Sequence, residues 1–128
     1  MLRISHHLLL CATPNKPLCC PDPSVGVASW HRMKQLVREF GLEDGTRSNG
    51  VVLRSKVDCL RICADGPVLL IWPDGMIYGG VSEDRIEPIL RSHIIAGRPI
   101  EEWIIGRYRF SANGMQSLSP EAGQSLLM

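Results

Sequence analysis

The first apolar run of the chain, Leu8-Leu9-Leu10-Cys11-Ala12, is short, unbroken and halted by Thr13-Pro14-Asn15. A run of that length bounded by turn residues predicts a buried strand over 6–12. Residues 14–23 hold Pro14, Pro17, Pro21 and Pro23, and proline at that density predicts an irregular loop. The period then changes. Trp30, Met33, Leu36, Val37 and Phe40 recur every three or four residues, with His31, Arg32, Lys34, Gln35, Arg38 and Glu39 between them. This pattern predicts an amphipathic helix over 29–40, capped by Ser29 and ended by Gly41. A polar loop over 43–50 leads to a strand at 51–55. A firmer strand follows at 67–73, and Asp74-Gly75 turns it into an antiparallel return strand at 76–81. Ser82, Glu83 and Asp84 suit the start of a second helix over 82–96, with Ile86, Ile89, Leu90 and Ile94 facing the core. Pro88 should disturb that helix, and Gly97 should close it.

Residues 99–105 suggest a short terminal turn that packs Trp103 and Ile104. From Gly106 onward large apolar residues thin out, while Ser, Gly and Gln become frequent. Residues 106–128 are therefore expected to form a flexible tail. The order β-α-β-β-β-α over 1–105 describes one α/β domain: a two-layer sandwich with a small mixed sheet and two main helices.

Composition narrows the function. With 128 residues, 45% hydrophobic and 21% charged, the chain can bury a core without disulfides. A formal charge of +1 gives no global attraction to nucleic acid. No stretch is long and apolar enough to cross a bilayer, and the start lacks a convincing leader pattern. A cytoplasmic protein with neither nucleic-acid nor membrane partners is the expectation. No Ser/His/Asp arrangement, phosphate loop or pair of carboxylates at useful spacing argues for an enzyme.

The cysteines carry the chemistry. There are five, in two groups: Cys11, Cys19 and Cys20, then Cys59 and Cys63. An odd number argues against a pure disulfide framework and for metal or redox chemistry in a reducing compartment. Cys11 alone would read as a small buried hydrophobe; grouping with the others changes that reading. Cys11 ends the first strand, Cys19 or Cys20 lies in the next loop, and Cys59 and Cys63 precede a buried strand. Two such loops can meet at one end of a sheet and bring four thiolates together. Four thiolates suit either a 2Fe–2S cluster or zinc. For zinc, Cys59 and Cys63 fit loosely, but the gap from Cys11 to Cys20 is wide. A zinc site would draw on His6, His7, His31 or His93, although His31 and His93 are expected on solvated helix positions. A thiol–disulfide oxidoreductase lacks its C-x-x-C motif here. Arg32, Lys34, Arg38, Arg54, Lys56 and Arg61 are basic. Arg61 lies between two candidate ligands, where a positive group would favour a reduced centre or meet an acidic partner.

Cys11, Cys20, the run Cys59-Leu60-Arg61-Ile62-Cys63 with Gly66-Pro67 after it, and Tyr78 on the return strand resemble the thioredoxin-like 2Fe–2S ferredoxins. His6-His7-Leu8-Leu9-Leu10-Cys11-Ala12 and Trp30 look like the versions found in cyanobacteria. The resemblance covers about residues 6–105. It implies a thioredoxin-like fold and one 2Fe–2S cluster on Cys11, Cys20, Cys59 and Cys63. It also implies one-electron transfer between redox partner proteins, often by a homodimer. This chain departs from many relatives in its shorter first loop, which ends in Cys19-Cys20. Cys20 matches the family's cysteine that precedes a glycine, here Gly26; Cys19 is the alternative.

Overall fold

The computed structural model describes residues 3–12, 22–58, 60, 66–111 and 114–118. The apolar run becomes strand β1 (Ile4–Cys11), and it sits inside the sheet. It pairs in parallel with β2 (Val51–Val57), ending at Cys11 opposite Val57, and antiparallel with β3 (Leu69–Trp72). Parallel neighbours require a crossover, and helix α1 (Pro23–Glu39) supplies it.

Helix α1 begins at Pro23 and not at Ser29. Asp22 is its cap: the carboxylate accepts the Ser24 N–H at 3.0 Å, and Pro23 occupies a position where a missing N–H costs nothing. Ser29 is buried mid-helix and donates its hydroxyl to the Val81 carbonyl at 2.6 Å. The first turns are small residues because they run close to the strand. A side chain on Gly26 would strike the backbone carbonyl of Ala12.

Strand β3 returns as β4 (Met76–Tyr78) through a three-residue turn, Pro73 to Gly75. Gly75 has a φ of +69°, and its N–H reaches the Ile71 carbonyl at 2.8 Å; glycine is the residue for that conformation. Helix α2 (Glu83–Ile89) contains Pro88 and passes into π-helical turns over Leu90–Ile95. The expected disturbance at Pro88 is thus followed by a change of winding, with the Ala96 N–H bonding back to Arg91.

The expected domain boundary at 105 falls inside a strand. After a 3-10 turn (Glu101–Trp103), β5 (Ile104–Ser111) pairs with β4, and β6 (Gly114–Ser117) pairs with β5. The six strands lie in the order β2-β1-β3-β4-β5-β6. Residues 106–111 and 114–117 therefore depart from the expectation of a flexible tail. Without β5, the outer edge of β4 would be left with unpaired backbone groups; the Tyr108 N–H instead reaches the Gly75 carbonyl at 2.8 Å. Residues 119–128 lie outside the described part.

Alternation along β1 divides the interior in two. Leu8, Leu10 and Ala12 pack with Met33, Leu36, Val37, Ile86, Ile89 and Leu90 beneath the helices. Leu9 and Cys11 belong to a second cluster with Val68, Leu70, Ile77 and Tyr108. This is the two-layer α/β arrangement expected from the hydrophobic pattern.

The Tyr108 ring is buried in the second cluster, yet its hydroxyl has no hydrogen-bond partner among the described residues. An orphaned buried hydroxyl costs roughly 1–3 kcal/mol. Tyr108→Phe should therefore stabilise the fold by about 1 kcal/mol, whereas Tyr108→Ala should cost about 3–5 kcal/mol, the range for deleting a buried aromatic. Urea unfolding measures both. A destabilised phenylalanine variant would show that the hydroxyl has an acceptor after all.

Candidate metal centre

Cys11 is the last residue of β1 and is 2% exposed. Its N–H donates to the Val68 carbonyl at 2.9 Å, and its thiol donates to the Asp58 carbonyl at 3.3 Å. Both partners frame the second cysteine group. Asp58 is the residue before Cys59, and Val68 follows the Gly66-Pro67 pair that comes after Cys63. Leu60 and Val57 pack against the same apolar cluster as Cys11. The described residues that flank Cys59 and Cys63, Asp58 before them and Val68 after them, thus lie beside Cys11. The first group is held similarly. Ala12 follows Cys11 directly, and the start of α1 is pressed against it at Gly26, so the described residues on either side of Cys19 and Cys20 also lie at this end of the sheet.

Cys19, Cys20, Cys59 and Cys63 lie outside the described residues, as does Arg61. Of the five cysteines, Cys11 alone has a described position. Its thiol points to the face away from the helices, because Leu8 and Leu10 take the other face.

The basic residues are mostly paired. Arg32 meets Glu87 at 3.0 Å, Arg54 meets Glu43 at 2.8 Å, and Arg38 lies 3.6 Å from that same carboxylate. These pairs tie α1 to α2 and β2 to the preceding loop, so their charges are largely answered within the chain. Lys56 is exposed on β2, next to Val57.

The histidines are placed away from Cys11. His7 is 2.8 Å from the Ser55 hydroxyl, and His31 is exposed. His93, expected to be solvated, is instead 2% exposed, between Tyr78 and Asp74. The wide π turns carry it, and its partners come from distant strand and turn positions that local periodicity does not reveal. His6 faces Asp74 as well. Among the described residues, no three His, Cys, Asp or Glu side chains are disposed to hold a metal ion. No described helix is long and apolar enough to cross a membrane.

No family model matches the chain. A 2Fe–2S ferredoxin of Clostridium pasteurianum is 27% identical over 107 residues, covering 79% of this chain and 96% of that protein. A 2Fe–2S ferredoxin of Aquifex aeolicus is 35% identical over 49 residues, covering 38% of this chain and 44% of that one. Among solved structures, a thioredoxin-like 2Fe–2S ferredoxin from Aquifex aeolicus superposes with a TM-score of 0.64 at 21% identity, covering 80% of this chain and 91% of that one. The fold of this chain is thioredoxin-like.

The packing of Gly26 on Ala12 generates a test of the site's architecture. Gly26→Ala places a methyl group against a backbone carbonyl that cannot rotate away. Overpacking of this kind costs roughly 1–3 kcal/mol. The variant should lose about that much in chemical denaturation, and the Cys11 thiol should react faster with a thiol reagent in metal-free protein. Unchanged stability and unchanged thiol protection would show that the start of α1 does not brace this end of β1.

Proposed function

We propose that this chain is a 2Fe–2S ferredoxin that holds one cluster on Cys11, Cys20, Cys59 and Cys63, with Cys19 the alternative to Cys20. It carries one electron at a time between redox partner proteins and has no substrate of its own. The observation that supports this reading best is the anchoring at Cys11. The described residues that flank both cysteine-bearing segments lie at the end of β1, where a buried thiol stands. Thiolates are the ligand set such a cluster requires, and bound there the group supplies reversible one-electron chemistry. The likeness to the clostridial ferredoxin across nearly its whole length agrees with this assignment.

The remaining parts of the reading rest on the sequence. A cytoplasmic setting follows from cysteines kept as thiolates. Assembly as a homodimer follows from the family resemblance, as does the likeness of residues 6–12 and Trp30 to cyanobacterial forms. The relatives compared come from Clostridium and Aquifex.

Protein purified without oxygen should be coloured and hold about two iron and two sulfide per chain, with a reduction potential on the order of a few hundred mV below zero. Zinc at about one per chain, with no iron taken up on anaerobic reconstitution, would replace this reading by a structural zinc site. Single substitutions distinguish the ligands. Cys20→Ser should shift the visible spectrum or leave a fragile cluster, and Cys19→Ser should be nearly silent. The reverse pattern would exchange the two roles.

A further inference from the structure

At the other end of β1 from Cys11, one carboxylate stands between two imidazoles. His93 Nε2 lies 2.5 Å from Asp74 Oδ2, and His93 Nδ1 lies 2.7 Å from the Tyr78 hydroxyl. That hydroxyl also accepts the Ile100 N–H at 3.0 Å. Facing a carboxylate oxygen, His93 Nε2 is the donor and Asp74 the acceptor of this bond. On the other side, His6 Nε2 is 3.5 Å from the same Oδ2, a longer and weaker contact than the one to His93. Its Nδ1 faces the Ser5 hydroxyl at 3.1 Å, and the two imidazoles meet edge to face with centroids 6.3 Å apart. His93 is almost wholly enclosed, while the side chains of His6 and Asp74 keep 18% and 31% of their surface in solvent.

We propose that Asp74 is a pH-operated latch shared by these two histidines. With His6 neutral, the carboxylate holds His93 and so ties the π turns and residue 100 to the β3–β4 turn. When His6 takes up a proton, its imidazolium draws Oδ2 into a direct ion pair, and the bond to His93 slackens. No electron moves; one proton is taken from solvent, and one hydrogen bond is exchanged for another.

The surrounding charges place the change in the acid range. Burial holds His6 below its ordinary value; Asp74 opposes this, and His93 and Arg47 reinforce it. Arg47 reaches His6 through the Ser5 hydroxyl at 3.0 Å, and Arg107 of β5 acts on Tyr78. A histidine whose folded value is lowered binds fewer protons folded than unfolded. Stability therefore rises with pH across that interval and is lost as pH falls from the ordinary histidine value of about 6.5 toward the folded one. The inference concerns the end of β1 remote from Cys11 and stands whatever metal the cysteines hold.

Nuclear magnetic resonance on the full-length, oxidised holoprotein with labelled histidines tests it between about pH 8 and about pH 5, a range spanning the ordinary histidine value. The His93 Nε2–H signal should be protected at the alkaline end. It should weaken with the midpoint of His6, and exchange of the Ile100 N–H should quicken by about tenfold, as expected for a local opening. His6→Gln should remove that midpoint from His93 and Ile100. Asp74→Asn should lower the midpoint of His6 and uncouple the two rings. The latch is overturned if His93 and Ile100 keep their midpoint in His6→Gln. It is equally overturned if they stay unchanged while His6 titrates, or if Asp74→Asn leaves the midpoint of His6 where it was.

Discussion

Strand β1 is hydrogen-bonded along both edges, and the placement of the candidate centre depends on that. With β2 parallel on one side and β3 antiparallel on the other, the strand cannot shift by one residue without turning Leu8 and Leu10 away from the helices. Burying each such leucine contributes roughly 1.5–3 kcal/mol, far more than a thiol's own preference for either face. Leucine packing thus dictates the orientation of Cys11. Leu8, Leu10 and Ala12 go under α1 and α2, and Cys11 is left on the opposite face. Backbone bonds to Val68 and a thiol bond to Asp58 then set where the Cys59 and Cys63 segment departs and returns.

The parallel pairing of β1 and β2 has a second consequence. It forces a crossover, and the crossover helix must begin at the end of the sheet where β1 stops. The contact between Gly26 and Ala12 brings the helix close to that end. The described residues on either side of the segment with the prolines and Cys19-Cys20, Ala12 and the start of α1, therefore lie at that same end.

Local pattern was enough for β1, the Asp74-Gly75 turn and most of α2, since each is defined by residues near one another in the chain. The first turns of α1 were missed because Gly26, Ala28 and Ser29 pack by being small, and hydrophobic periodicity does not register small residues. Strands β5 and β6 were missed although Arg107-Tyr108-Arg109-Phe110 alternates and Asn113-Gly114 is a hairpin dipeptide. The low apolar content beyond Gly106 masks both signals. The burial of His93 depends on Tyr78 and Asp74 from another part of the chain. At the candidate centre, the position of Cys11 was legible from the apolar run that it ends. The choice between Cys19 and Cys20 was not, because adjacent thiols on a proline-rich loop have the same chemistry.

Strand β1 thus carries a titrating residue near one end and a thiol at the other. From His6 to Cys11 the strand rises roughly 17 Å at about 3.3 Å per residue. A unit charge gained at His6 acts across that span with about 1 kcal/mol at an effective dielectric constant near 20, and with less where water intervenes. Salt screens it further, since the Debye length at physiological ionic strength is about 8 Å. Protonation of His6 therefore acts chiefly through the hydrogen bond that Asp74 shares with His93. That bond ties the π turns to the β3–β4 turn, while distance and screening leave the field at the Cys11 end little changed.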